Sequence, residues 1–207
     1  MLDRVRIEVI RNALRLAAEE MGTAVVRASF SSIIQEMAEA SACVLTADGR
    51  LVHGPQPIHS SSLRLGLRAI VEDFPLDTMV EGDVYVTNDP YRGGIHANDL
   101  LVIKPVFVSD RPAYFTATLV HVADLGGASA GGLPANVTDF YGEGLLLPPV
   151  KLYDAGEPCT PVFRILEHNT RLPKNLLGDV QALVSGANVG AMRIAAGRDV
   201  RAMELTL

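Results

Sequence analysis

The stretch "IHANDLLVIKPVFVSDRPAYFTATLVHVAD", residues 95–124, decides the fold. "DLLVIKPVFV" and "PAYFTATLVHV" are rich in branched and aromatic residues, which suit a pleated, half-buried surface. Only "SDR" separates them, so the two runs are expected to fold back on each other as an antiparallel hairpin. Pro105 within the first run predicts an edge or a bulge, because proline has no N–H to offer a neighbouring strand. At each end of the stretch a histidine stands three residues ahead of an aspartate: His96 with Asp99, and His121 with Asp124. A tip at Asp110-Arg111 would pair Asp99 with Val122. A longer tip reaching Pro112 would pair it with Ala123. In either register both His-x-x-Asp segments come to one end of the hairpin, where cross-strand Cβ atoms lie about 4.5–5.5 Å apart.

Working outward, residues 3–21 read as an amphipathic helix, with Val5, Val9, Ile10, Ala13, Leu14, Ala17 and Met21 at helical spacing. Asp3 is the expected N-cap and Gly22 the expected C-cap. "SACVLTADGRLVHG" (41–54) is a second hairpin around the turn dipeptide Asp48-Gly49. "SSLRLGLRAIVEDFP" (61–75) reads as a helix capped by serine and stopped before Pro75. "GDVYVTNDP" is a strand running into a turn. The glycine-rich segment 126–144 reads as a long loop, a kind that usually has a function or moves. After "GLLLPPVKLY" the chain is helical in composition to its end, although Gly186, Gly190 and Gly197 weaken the pattern. The expected fold is α+β: a mixed or antiparallel sheet core with an N-terminal helix and a helical C-terminal arm. Residues 1–165 form the expected metal-binding domain. Residues 166–207 form the arm, as part of that domain or as the start of a continuation.

The chain has 207 residues, 48% hydrophobic and 20% charged, a composition that suits an ordinary globular core. A net charge of -6 argues against binding nucleic acid, which takes clustered Lys and Arg. Two cysteines, neither in a CxxC, argue against a disulfide framework and for a reducing cytoplasm. Charges interrupt the N-terminus every few residues, unlike a signal peptide. No apolar run approaches the roughly 20 residues of a membrane helix.

Two imidazoles with one or two carboxylates make a site for zinc, manganese or iron. An ion held there with an open position activates water or polarises a carbonyl. The second aspartate is then a ligand or a partner that orients a histidine. The competing explanation is that His-x-x-Asp arises by chance and makes one satisfied hydrogen bond. Glycines at 93–94, 126–127 and 131–132 would let backbone approach a ligand closely. Of the other histidines, His53 follows a strand and reads as a surface residue, and His168 reads as structural. His59 either faces a pocket or caps a turn. Cys43 reads as a small buried apolar residue. No GxSxG elbow, GxxxxGKS loop or GxGxxG motif is present.

Five strings, in order, resemble the N-terminal region of the hydantoinase B family. They are "TADGRLVHGPQPIHSSSL" (46–63), "GDVYVTNDPYRGGIHANDLLVIKPVF" (82–107), "HVADLGG" (121–127), "YGEGLLLPPVKLY" (141–153) and "NTRLPKNLLGDVQA" (169–182). The resemblance implies a metal-bearing subunit of a hetero-oligomer. A hydantoinase A-like partner would use ATP to phosphorylate a small cyclic amide such as a hydantoin, 5-oxoproline or another lactam. ATP would enter only through that partner. The family's ligands map onto His96, Asp99 and His121, and a further family carboxylate falls at Glu39, where "EAS" replaces the family's "DFS". Asp124 and His59 become the expected supporting catalytic residues. The same scaffold also serves ATP-dependent ketone carboxylases, and a non-catalytic assembly subunit is a third reading. Family members run longer, so the resemblance implies a fragment, a split subunit or a short relative.

Overall fold

A computed structural model describes residues 4–37, 40–54, 57–132 and 134–196. Asp3, Glu39 and Gly197, named above, lie outside those residues. The hairpin of 99–121 is the centre of the fold. Strand β4 (Asp99–Val108) and strand β5 (Arg111–His121) lie side by side in a seven-stranded sheet. Around them stand β1 (Ala40–Thr46), β2 (Leu51–His53), β3 (Val84–Thr87), β6 (Val150–Asp154) and β7 (Glu157–Pro158), in the order β2-β1-β5-β4-β3-β6-β7. Every pairing is antiparallel. The fold is therefore α+β with an antiparallel core.

The hairpin register differs from both expectations. The tip is the two-residue turn Ser109–Asp110, with Ser109 at φ 58°. Arg111 is already in the ladder, opposite Val108. An irregularity between Val106 and Phe107 then shifts the register once more, and Asp99 faces His121 directly. Pro105 lies just ahead of this shift. On its other side, β3 pairs with β4 only through Leu101–Ile103. The missing N–H thus falls beyond the reach of that neighbour.

Alternation along the strands gives the sheet two apolar faces. One carries Leu101, Ile103, Phe115, Ala117, Leu119, Cys43 and Leu45, packed under Leu63, Leu67 and Ile70 of helix α3 (Pro57–Asp73). Burial pushes the Cys43 thiol up to about 12, as befits an inert core residue. The other face carries Leu100, Val102, Val120 and Val122 and lies under α5 (Pro173–Ala196). Helix α1 (Arg4–Ala28) shares that face through Ile10, Leu14, Ala18 and Met21. The short helices α2 (Ser32–Met37) and α4 (Thr160–His168) complete the helical set.

Two helix boundaries depart from expectation. Helix α1 runs through Gly22 to Ala28, because Val25 continues the buried stripe into the core. Gly22 is an internal contact beside Ala40 and Ala42 of β1. Helix α3 starts at Pro57, so its serines sit inside it: Ser62 donates to the carbonyl of Gly93. Val5 and Val9 lie on exposed surface of α1, although the pattern placed them on the buried stripe.

Gly186 and Gly190 weaken the helical pattern of α5 for a structural reason. They are where α5 crosses α1 and the sheet. A methyl group at Gly186 would overlap Val25 and stand 3.0 Å from the Met21 carbonyl, and one at Gly190 would overlap the Met21 sulfur. Gly186→Ala tests this. Helix propensity alone favours alanine by about 1 kcal/mol, whereas overpacking costs about 1–3 kcal/mol. Net destabilisation is expected, lowering the thermal midpoint by a few degrees, at about 2–4 °C per kcal/mol for a chain of this size. A midpoint by circular dichroism equal to or above that of the parent chain would remove the close-crossing explanation.

Candidate metal centre

The site is built on the hairpin's open end, on the face shared with α3. His96 sits in the loop before β4. The Asp99 carboxylate closes that loop into a turn: Oδ2 accepts the His96 backbone N–H at 2.9 Å and meets its ring Nδ1 at 3.0 Å. This local turn accounts for the first His-x-x-Asp spacing. The other carboxylate oxygen reaches across the ladder to His121 Nδ1 at 2.9 Å. The two imidazoles stand edge to face, with centroids 5.8 Å apart. Among the described residues, His96, Asp99 and His121 are the group whose donor atoms all lie within 4.8 Å of one another.

The electrostatics follow from burial. The Asp99 side chain is 7% exposed, while those of His96 and His121 are 42% and 25% exposed. The carboxylate is the floor and the imidazoles are the rim. Burial alone would raise the Asp99 pKa. The His121 hydrogen bond and charge, the His96 backbone N–H and the His96 charge overcome it and hold the carboxyl below its usual range. An ionised carboxylate only accepts hydrogen bonds, so where no ion is bound both Nδ1 atoms donate to it; an ion entering between them would replace those protons and take Nδ1 of each ring with a carboxylate oxygen. Two nitrogen donors and a carboxylate, partly open to solvent, fit a divalent first-row ion with a vacant position.

The other expected site residues fall elsewhere. Asp124, 2% exposed, anchors the glycine-rich loop. It accepts from Arg171 Nη1 (2.8 Å), the Arg171 backbone N–H (2.7 Å), Thr170 Oγ1 (3.1 Å) and the backbone N–H groups of Gly126 and Gly131. Arg171 also donates to the carbonyls of Gly126 and Gly127. The doubled motif is therefore not symmetric. His59 lies in the first turn of α3, with its Nδ1 2.6 Å from Ser41 Oγ on β1. Gly93, at φ 129°, brings its loop onto the α3 backbone at Gly66.

Two asparagines that no sequence motif marks hold the His96 loop. Buried Asn88 donates to the carbonyls of Ala97 (2.5 Å) and Leu145 (2.8 Å) and accepts from Leu147 N–H (2.7 Å). Asn98 bonds Val122 with both its backbone carbonyl and its side-chain amide, at 2.8 Å each. In sequence Asn88 is merely part of an Asn-Asp-Pro turn, and nothing local announces partners so far along the chain.

The Asp124–Arg171 anchor carries a pH prediction. Burial would raise the Asp124 pKa, but the hydrogen bonds from Arg171, Gly126 and Thr170 hold it down. A carboxyl depressed in the folded state stabilises above its unfolded pKa, about 3.9, and loses that contribution as pH falls through the folded value. Arg171→Ala should therefore cost stability at neutral pH, and the gap to the parent chain should narrow below about pH 4. Urea titrations across pH measure it. A gap that stays constant down to pH 2 would show that the Asp124 charge is not involved.

A family model described as hydantoinase B/oxoprolinase matches residues 3–199, and the chain belongs to that family. Its relatives include the caprolactamase subunit beta of Pseudomonas jessenii, 31% identical over 91% of this chain and 33% of that protein. The 5-oxoprolinase PfmaA of Pestalotiopsis fici is 32% identical over 88% of this chain and 16% of its own length. Among solved structures, the ATP-dependent caprolactamase from Pseudomonas jessenii superposes with a TM-score of 0.87 at 30% identity, over 99% of this chain and 37% of that one. A nucleotide-free acetone carboxylase shares the fold, with a TM-score of 0.82 at 16% identity, over 93% of this chain and 26% of that one. The chain spans about a third of the length of the first curated relatives it matches. No helix among the described residues is long and apolar enough to cross a membrane.

Proposed function

We propose that this chain supplies the metal-bearing part of an ATP-dependent hydrolase of cyclic amides, acting with a hydantoinase A-like partner that handles ATP. The observation that carries the reading is the convergence of His96, Asp99 and His121 at one hairpin end, with their donor atoms within 4.8 Å of one another. Relatives named for caprolactam and 5-oxoproline support the cyclic amide as substrate class. Glu39 is proposed as the fourth ligand. It immediately precedes Ala40, which pairs with Val120, the residue next to His121.

Bound there, zinc, manganese or iron would polarise the acyl oxygen or lower the pKa of a bound water to near neutrality. The chain's own residues do the rest. Asp99 fixes both imidazoles, Asn88 and Asn98 hold the His96 loop, and Asp124 with Arg171 shapes the glycine-rich wall. Asp124 is thus proposed as a positioning residue rather than a proton carrier, since its oxygens are taken by donors. A cytoplasmic hetero-oligomer is the setting this chemistry implies.

The test is His96→Ala combined with His121→Ala, with bound metal measured by mass spectrometry and lactam hydrolysis measured with the partner. Metal content should fall to background, and ATP-dependent hydrolysis should go with it. Metal content equal to the parent chain would end the proposal. ATP turnover that requires bicarbonate would move the activity to the carboxylase class.

A further inference from the structure

Ser41 and His59 are a second polar pair on the same face of the sheet, and no role above uses them both. Ser41 faces Leu119 in the β1–β5 ladder, so its diagonal neighbour on β5 is His121. Such diagonal positions lie about 7–8 Å apart on one face. Ser41, Leu119, His121 and Asp99 all alternate to the α3 side. Helix α3 begins at Pro57 and brings His59 down onto Ser41, where Oγ and Nδ1 meet at 2.6 Å. The imidazole of His59 is therefore held on the residue that stands diagonally across the β1–β5 ladder from His121.

The bond also selects a tautomer. Ser41 is 3% exposed, and a buried hydroxyl proton left without an acceptor is costly. Among the described residues, the acceptor recorded for that hydroxyl is His59 Nδ1. If Ser41 donates there, Nδ1 has no proton and the neutral ring carries its proton on Nε2. The ring then presents a donor, the opposite of a general base.

We propose that His59, held by Ser41, donates its Nε2–H to the acyl oxygen of a substrate carbonyl or acyl phosphate bound at the His96–Asp99–His121 cluster. The inference rests on the metal-site reading above for where that substrate sits. The reacting class is an amide or activated acyl group whose oxygen gains negative charge. A fixed donor aimed at such an oxygen stabilises it more than water does. Ser41 is the positioning residue: it reaches the substrate only through the ring.

Two measurements test this. Nitrogen-resolved NMR of the histidine rings, in the metal-free chain and after adding zinc, should show His59 protonated on Nε2, and Ser41→Ala should release that preference. A His59 ring protonated on Nδ1, or a tautomer indifferent to Ser41→Ala, overturns the proposal. In the complex with the partner, hydrolysis of caprolactam, hydantoin and 5-oxoproline should fall about 100-fold in His59→Ala with metal content unchanged. His59→Gln, which keeps an amide N–H near the Nε2 position, should recover about tenfold of that loss. Unimpaired turnover in His59→Ala, or no recovery in His59→Gln, also overturns it. Failure of the metal reading would show separately, as absent metal in the unaltered chain, and the ring tautomer would still decide the role of His59.

Discussion

Asp99→Asn should strip the site of metal while leaving the sheet folded. Asp99 is the one residue of the cluster that touches both others, with one oxygen on His96 and the other on His121. An amide of the same shape has a single acceptor oxygen and an NH2 group. It can satisfy one Nδ1–H and must turn a donor toward the other, so one imidazole rotates or moves its proton to Nε2. Losing even a partner that orients a ligand costs about 10–100-fold in metal affinity. Asp99 is both an orienting partner and a proposed ligand, so a loss of at least about 100-fold is expected, with hydrolysis falling in step. Metal titration followed by mass spectrometry measures it, and circular dichroism confirms the fold. An affinity within threefold of the parent chain would show that Asp99 neither ligates nor orients.

The second large effect is on stability. Asp179, fully buried in α5, accepts the backbone N–H groups of Phe30 (2.8 Å) and Ser31 (3.0 Å) and the Ser31 hydroxyl. It holds the turn between α1 and α2 from a distant helix and ties the end of α1 to α5. Asp179→Ala removes the acceptor and leaves the Ser31 N–H and hydroxyl buried without partners. Each buried orphaned donor costs about 1–3 kcal/mol, so for the two on Ser31 a loss of about 2–6 kcal/mol is expected. The Phe30 ring lies against Gly178, where a methyl group would overlap it, so the turn has little room to rebuild. Urea denaturation gives the value, and a loss under about 1 kcal/mol would mean that the turn finds other acceptors.

Much of the fold is legible in sequence because its signals are local. The β-rich runs around "SDR" make a hairpin whichever turn they use, and Asp48-Gly49 marks the other hairpin. Convergence of His96 with His121 follows from the hairpin alone, since any tip between the runs brings their outer ends together. The helix ends were less legible. Gly22 looks like a cap until Val25 finds the core, and the α5 glycines look like breaks until α1 lies against them.

What the sequence determined by itself is therefore the antiparallel hairpin, the gathering of two histidines and an aspartate at its open end, and the family to which those strings belong. The tertiary structure alone decided the register and the roles. The tight tip at Ser109–Asp110 would by itself set Asp99 against Val120, and a one-residue irregularity at Val106–Phe107 moves it opposite His121. Asp124 has the same spacing from its histidine, but Arg171 comes from the turn before α5 to claim it. Ser41 and His59 become a pair only when α3 settles on β1. Spacing along a chain reports local turns. Which carboxylate meets which partner depends on elements far apart in sequence, whose packing no local pattern encodes.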